Sequence, residues 1–208
     1  MREITPQIAL ELIAHEGIVT QAYKDSVGVW TWSVGITDAS GHKVYPRYKD
    51  KPQPLEHCIG VYLWLLREKY LPPVLTAFGS YDPTEAELGA ALSFHWNTGA
   101  IARASWIKRF VGGDRAGARN AILDWARPAS LLARRRLEQA LFFEGKWSGD
   151  GTALVYGVAK PSYQPSRGRR IAVRTLVEGL FDVPDPVPVP MAVNVARPPR
   201  SWFDRLFD

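Results

Sequence analysis

Residues 15–37 read His-Glu-Gly-Ile-Val-Thr-Gln-Ala-Tyr-Lys-Asp-Ser-Val-Gly-Val-Trp-Thr-Trp-Ser-Val-Gly-Ile-Thr, and the rest of the chain is organised around this stretch. A helix leads into it, with Thr5 as the expected N-cap and Pro6 at the first helical position. Glu16 falls on the apolar face of that helix, whose other members are Ile8, Ala9, Leu12 and Ile13. Gly17 is the expected helix stop. Because a carboxylate on an apolar face is costly to ionise, we expect Glu16 to retain its proton near neutral pH.

The residues that follow predict a β-hairpin. Residues 22–25 form its first strand, 26–28 its turn and 29–36 its second strand. Side chains alternate along a strand, which places Thr31 on a face of small and polar residues. Asp25 lies at the open end of the hairpin, where we expect its carboxylate to stay solvated. One acid in an apolar setting and one in a polar setting is the arrangement that separates a proton donor from an ionised partner.

The spacing of Glu16, Asp25 and Thr31 resembles the catalytic signature of the phage-type lysozymes, glycoside hydrolase family 24. Eight residues separate the two acids, and five separate Asp25 from Thr31. The resemblance implies that Glu16 is the general acid and that Asp25 and Thr31 hold and activate the attacking water. It also implies the substrate, which is the β-1,4 bond between N-acetylmuramic acid and N-acetylglucosamine in peptidoglycan. Thr37 departs from the pattern, because many relatives carry His at that position.

Three further residues are assigned to substrate binding through the same resemblance. Tyr23 and Gly35 match the family's hairpin, and residues 93–99 resemble its Phe-Asn-x-Gly segment at the floor of the cleft. By that match Asn97 either hydrogen-bonds the substrate or caps the end of its helix, and the sequence leaves both open.

A helix predicted over residues 130–143 resembles the family's Gly-Leu-x-x-Arg-Arg-x-x-Glu helix. Arg134, Arg135 and Glu138 stand at the matching positions. We expect the arginines to lie on a solvated helix face, with Arg134 and Glu138 paired four residues apart, rather than to contact substrate.

Two other helix boundaries are clear from the sequence. Residues 55–70 have a broad apolar surface and predict a helix that the pair Pro72-Pro73 ends. The segment Thr84-Glu85-Ala86-Glu87 is a capping box, which opens a helix through Trp96.

The resemblance implies an α+β, mainly α, lysozyme-like fold, with a small β-hairpin lobe, a larger helical lobe and the active cleft between them. We expect a catalytic domain over residues 1–181, with its core at 5–147 and an extension at 148–181. The extension fits either a strand pair or a loop followed by a helix. Residues 182–208 predict a Pro-rich extended tail with a short aromatic end, because prolines alternate at positions 184, 186, 188 and 190.

Composition limits the partners that we expect. The chain has 26 basic and 21 acidic residues among 208, and its net charge of +5 suits an anionic partner such as the cell wall. The basic residues are scattered and carry no recognition motif, so nucleic acid is not expected. Cys58 is the single cysteine, which excludes an intramolecular disulfide. No set of His, Cys and acidic residues has metal-ligand spacing, so we expect neither a metal nor an organic cofactor.

The start of the chain has no basic region followed by a long apolar run, and no stretch has the length and apolarity of a membrane span. We therefore expect synthesis in the host bacterial cytoplasm without a signal peptide. Action on the cell wall in the periplasm then requires release through a membrane lesion made by a holin-type protein. A monomer is the expected state.

Two other functions are weighed against hydrolysis. A lytic transglycosylase needs an acid but no partner that activates water, so the presence of Asp25 and Thr31 disfavours it. A non-catalytic wall-binding protein has no need for the combination of Glu16, Asp25 and Thr31.

Overall fold

A computed structural model describes residues 2–182 of the chain. These residues divide into two compact units. A helical unit comprises residues 2–15 and 66–149, and a sheet unit comprises residues 16–65 and 150–182.

The first helix, α1 (Pro6–Glu16), begins and ends as the sequence predicts. The Thr5 hydroxyl oxygen accepts a backbone N–H of the first turn at 3.2 Å, which makes Thr5 the N-cap. Gly17 has φ +70° and ends the helix. Residues 8–13 are all buried, and one of them is the acid Glu11.

The strands of the sheet unit are β1 (Ile18–Lys24), β2 (Trp30–Ser33), β3 (Ile36–Thr37), β4 (Thr152–Ala159) and β5 (Gln164–Ala172). They form one five-stranded sheet in the order β3-β2-β1-β4-β5. The antiparallel pair of β1 and β2 is the predicted hairpin, and it places Tyr23 directly opposite Thr31. Helix α2 (Leu55–Leu65) packs against both strands.

The single second strand predicted over residues 29–36 is wrong. It breaks into β2 and β3 at the turn Val34-Gly35, where Gly35 has φ +77° and lets the chain reverse. The Ser33 hydroxyl fixes the start of this turn by donating to the carbonyl of Cys58 at 2.8 Å. The predicted alternation is lost with the strand, since residues 31–33 are all buried.

The extension at 148–181 is built into the same sheet. β4 pairs in parallel with β1, and β5 pairs antiparallel with β4 at the sheet edge. Helix α8 (Arg174–Phe181) follows and packs against α2. The extension is therefore a strand pair and then a helix. Beyond Asp182, the tail predicted from the sequence lies outside the described residues.

The helical unit is built mainly from five further helices, α3 (Leu71–Phe78), α4 (Glu85–Thr98), α5 (Ser105–Val111), α6 (Arg115–Ala121) and α7 (Leu132–Glu144). The predicted capping box is confirmed at the start of α4. The Thr84 hydroxyl accepts the backbone N–H of Glu87 at 3.2 Å, and the Glu87 carboxylate accepts the backbone N–H of Thr84 at 2.9 Å. α4 then packs along α7.

The helix stop predicted at Pro72-Pro73 is wrong. α2 ends at Leu65, and a π-helical turn over Leu66–Tyr70 follows. α3 then begins at Leu71 with both prolines in its first turn. The N–H groups of a first turn have no acceptor within the helix, so proline is tolerated there and starts α3.

Apolar side chains fill the interior of each unit. Fully buried large residues include Trp32, Tyr62 and Ile18 in the sheet unit, and Trp106, Phe94 and Phe78 in the helical unit. The mainly helical α+β class predicted from the sequence is confirmed. Within residues 2–182, none of the helices combines the length and the apolar character needed to cross a bilayer.

Candidate active site

Asp25 is built into the turn of the β1–β2 hairpin. Its Oδ1 accepts the backbone N–H groups of Val27 at 3.0 Å and Val29 at 2.8 Å. Its own backbone N–H donates to the Val29 carbonyl at 3.0 Å. The side chain is half-buried, as expected for an acid that remains in contact with solvent. Because both turn bonds use Oδ1, Oδ2 is the oxygen that can accept from a water molecule.

Thr31 lies next to this turn on β2. Its hydroxyl donates to the same Val29 carbonyl at 3.1 Å, so Thr31 and Asp25 share one backbone acceptor. Only 3% of Thr31 is exposed, and packing therefore holds the side chain in place. The hydroxyl oxygen still has lone pairs that can accept a hydrogen bond.

Tyr23 lies directly opposite Thr31 in the β1–β2 pair, and the charges of both acids act on its phenol. Burial raises the pKa of its phenol, and the charges of Glu16 and Asp25 raise that pKa further. Glu16 is the last residue of α1 and is half-buried. Glu16, Tyr23, Asp25 and Thr31, four of the six predicted site residues, all lie in the sheet unit.

The other two predicted residues have different surroundings. Gly35 lies in the turn between β2 and β3. Asn97 belongs to the helical unit, where its side-chain oxygen accepts from Arg135 Nη2 at 2.6 Å. α4 is closed by Gly99, whose backbone N–H donates to the carbonyl of His95. A substrate contact by Gly35 or Asn97 stays a prediction.

The fully buried acid of α1 is Glu11, which the sequence analysis does not single out. Its carboxylate accepts from the Ser148 hydroxyl at 2.6 Å and from the Gly149 N–H at 2.8 Å. His15 Nε2 lies 3.4 Å from Glu11 Oε1, and His15 Nδ1 lies 3.1 Å from the Ser93 hydroxyl. Burial acts to raise the pKa of Glu11, but the hydrogen bonds from His15, Ser148 and Gly149 prevail and lower it. The pairing of an acid with a His four residues later is the one local signal of this network.

The prediction that the arginines of α7 lie on a solvated helix face is wrong. Arg135 and Glu138 are both fully buried, with Arg135 Nη1 2.8 Å from Glu138 Oε2. The other oxygen of Glu138 accepts from the Ser93 hydroxyl at 2.8 Å and from Arg134 Nε at 3.1 Å. The predicted Arg134–Glu138 pair does form, but it lies under α4 because α7 turns its charged face towards that helix.

Within residues 2–182, no three His, Cys, Asp or Glu side chains are arranged so that they could hold a metal ion. Cys58 is buried, and burial raises the pKa of its thiol to about 12, which keeps it protonated and unreactive. The groups that the site does offer are two carboxyl groups, a phenol and a hydroxyl.

Known proteins that are similar to this chain in sequence or in fold include phage lysozymes and endolysins. The Phage lysozyme family model matches residues 13–139. The probable prophage lysozyme of Escherichia coli strain K12 is 28% identical over 137 residues, which cover 63% of this chain and 73% of that protein. The SAR-endolysin of Escherichia phage 933W is 28% identical over 127 residues, covering 58% of this chain and 67% of that protein. Among solved structures, the active form of the P1 phage endolysin Lyz matches with a TM-score of 0.56 at 21% identity, over 70% of this chain and 86% of that chain.

The family match covers more than half of the chain, which therefore belongs to the phage lysozyme family. It is an enzyme of the endolysin type, a muramidase, and its fold is a lysozyme fold. Neither a lytic transglycosylase nor a non-catalytic wall-binding protein is favoured by these similarities. The matched residues include Glu16, Asp25 and Thr31, whereas β4 and β5 lie beyond them.

Proposed function

We propose that this muramidase works by single-displacement hydrolysis, with Glu16, Asp25 and Thr31 as its catalytic residues. The bond cleaved is the β-1,4 linkage between N-acetylmuramic acid and N-acetylglucosamine in bacterial peptidoglycan, and cleavage leads to lysis of the host cell. The observation that carries the proposal is the Val29 carbonyl, which accepts both the Asp25 backbone N–H at 3.0 Å and the Thr31 hydroxyl at 3.1 Å, with Tyr23 directly opposite Thr31 on the neighbouring strand.

Glu16 is proposed as the general acid. It ends a helix whose preceding residues are buried, and it is itself half-buried. Such a carboxyl group can donate its proton to the glycosidic oxygen as the bond breaks. The leaving sugar then departs as a neutral alcohol.

Asp25 and Thr31 are proposed to hold the water that attacks the sugar from the opposite face. Asp25 Oδ2 accepts a proton of that water, while the Thr31 oxygen orients it. Inversion at the anomeric carbon follows from this arrangement, and it requires the two carboxyl groups to be roughly 6.5–9.5 Å apart rather than about 5–5.5 Å.

Tyr23, Gly35 and Asn97 are proposed to bind the glycan. Burial and two neighbouring carboxylates raise the pKa of Tyr23, which keeps its phenol protonated at physiological pH. A protonated phenol between two acids can donate a hydrogen bond to a sugar oxygen or to a carboxylate. For Gly35 and Asn97 the support is the resemblance of their segments to the family's cleft.

The test is digestion of purified Gram-negative peptidoglycan by the wild type and by Glu16→Gln, with mass spectrometry of the products. We expect reducing muramic acid ends from the wild type and at least a 100-fold lower rate from the variant, since general acid catalysis contributes about 10²–10⁴-fold. Glu3→Gln is the matched control, because Glu3 is exposed on the same segment of chain. Anhydro-muramic ends would instead establish a transglycosylase, and equal rates for the wild type and Glu16→Gln would remove Glu16 from the mechanism.

We propose that residues 1–181 act as one catalytic domain with a core at 5–147, that the protein acts as a monomer, and that it is made in the host cytoplasm. Release to the wall would then need a holin-type membrane lesion. Expression in a host without the holin should leave the culture intact until the membrane is permeabilised, and lysis by expression alone would contradict holin dependence.

A further inference from the structure

The hairpin formed by β4 and β5 contacts the chain immediately beside Glu16. A Cβ atom at Gly17 would lie 2.9 Å from the carbonyl oxygen of Leu154 and 3.1 Å from the ring of Tyr156. A Cβ atom at Gly168 would lie 2.5 Å from the same ring. The Tyr156 ring is therefore held between two glycines, and one of them directly follows Glu16.

The same hairpin has a second contact beside Asp25. The backbone N–H of Lys24 donates to the carbonyl of Tyr163 at 2.8 Å. The Tyr163 ring meets Trp30 edge-on with 5.1 Å between ring centroids, and its hydroxyl donates to Asp50 at 3.1 Å. This contact fixes the end of β1, from which the turn that carries Asp25 begins.

We infer that the β4–β5 hairpin is a positioning element of the active site, with Tyr156 as the positioning residue for Glu16 and Tyr163 as that for Asp25. This inference rests on the proposed roles of the two acids. Gly17 has φ +70° and no side chain, so its own backbone does little to fix the position of the neighbouring residue Glu16. The Tyr156 ring and the Leu154 carbonyl fill the space next to Gly17 and supply that constraint.

The reaction tolerates only small errors in the positions of the two acids, which is why a positioning element matters. Single-displacement hydrolysis needs a separation between the acids that admits one water molecule. A misplacement of about 1 Å can lower the rate about 100-fold. A hairpin that touches the chain beside both acids sets their separation through one rigid piece of sheet.

The experiment compares Tyr156→Leu, which loses the flat ring, with Tyr156→Phe, which keeps it. Gln164→Ala, exposed on β5, is the matched control. We expect kcat for solubilised glycan strands to fall about tenfold or more in Tyr156→Leu, with KM changed less than about twofold, because positioning affects the chemical step. The pH dependence of kcat should also shift in Tyr156→Leu, and both properties should return in Tyr156→Phe. Gly168→Ala adds a methyl group that displaces the Tyr156 ring, and it should reproduce the fall in kcat.

Thermal unfolding of each variant separates positioning from loss of fold, and rates are measured well below each melting temperature. A wild-type kcat and pH profile in folded Tyr156→Leu and Gly168→Ala would overturn the inference. Glu16→Gln is assayed in parallel: if it is inactive while both of these variants are unaffected, only the positioning role fails. If Glu16→Gln is fully active, the proposed function fails and the inference fails with it.

Discussion

Arg135 and Glu138, three positions apart on α7, form an ion pair of 2.8 Å in which both side chains are fully buried. Arg135 also donates to the side-chain oxygen of Asn97 at 2.6 Å, and Glu138 accepts from the Ser93 hydroxyl at 2.8 Å. Two charges withdrawn from water are costly, and each of them here has the other as its counter-charge. The pair therefore ties α7 to α4, and Asn97 is part of that connection.

Glu138→Gln should destabilise the protein by about 3–5 kcal/mol, because it leaves the Arg135 charge buried without a counter-charge. Urea unfolding followed by circular dichroism measures the change. Glu178→Gln is the control, since Glu178 pairs with Arg174 at 3.7 Å on the exposed surface of α8. If Glu138→Gln lowers the free energy of unfolding no more than Glu178→Gln does, the buried pair stabilises the protein no more than the exposed pair.

The double variant Arg135→Met/Glu138→Leu tests the reason for that cost. It removes both fully buried charges, while Arg134 loses its contact with Glu138 but keeps its hydrogen bond to the Ser93 carbonyl, so the double variant should recover part of the stability that Glu138→Gln loses. A double variant as unstable as the single one would mean that packing, and not the unpaired charge, accounts for the effect.

The burial of Arg135 shows where prediction from the sequence ends. The spacing of Arg134 and Glu138 gives their pairing, because residues four apart on a helix are neighbours. It does not give the element that covers them, since α4 and α7 are far apart in the chain. The capping box at Thr84 and the N-cap at Thr5 were predictable because a few adjacent residues determine each of them.

The same limit applies to the site. Glu16, Asp25 and Thr31 are close in sequence, so a helix end and a hairpin suffice to predict that they meet. Glu11 and Ser148 are 137 positions apart, and no local sequence pattern around either residue predicts their hydrogen bond. The contact of Tyr156 with Gly17 depends in the same way on the parallel pairing of β1 with β4.

Asp25→Asn should abolish most of the activity while leaving the hairpin folded. An amide retains an oxygen that can accept from Val27 and Val29, but it cannot take a proton from water. We expect the rate of release of reducing ends to fall by about 100-fold or more, and the free energy of unfolding to change by less than about 1 kcal/mol. Ser26→Ala, in the exposed part of the same turn, is the control for local disturbance. An Asp25→Asn enzyme that keeps more than about a tenth of the wild-type rate would contradict the role of Asp25 as base.

Glu11→Gln should lose stability at neutral pH but not in strong acid. The folded protein lowers the pKa of Glu11 below its usual value of 4.5, so the carboxylate contributes stability above that value. That contribution is lost as the pH falls through the lower pKa of the folded state. Urea unfolding at pH 7 should show the wild type about 1–3 kcal/mol more stable than the variant, and the difference should shrink towards pH 3.

The exposed acid Glu3 supplies the control for that experiment. Glu3→Gln removes a carboxylate from the same end of the chain without touching His15 or Ser148, and its difference from the wild type should stay small at every pH. A Glu11→Gln variant whose stability deficit is the same at pH 3 as at pH 7 would show that the charge of Glu11 is not what stabilises the fold.

His42 should make the sheet unit sensitive to mild acid. Its ring stacks parallel to Trp32, and its Nε2 lies 2.8 Å from the Tyr48 hydroxyl. Burial, followed by the charges of Arg47 and His57, lowers the pKa of His42 to about 4, whereas an unfolded His titrates near 6.5. Between these values the unfolded chain binds the extra proton, so stability falls as the pH drops from about 6.5 to 4, by up to about 3 kcal/mol.

His42→Gln keeps a side chain that can hydrogen-bond Tyr48 but has no proton to gain, and its urea unfolding should therefore depend less steeply on pH across this window. The buried His95 lies in the helical unit and is not changed by this substitution, so parallel curves for the wild type and His42→Gln would rule out His42 as the source.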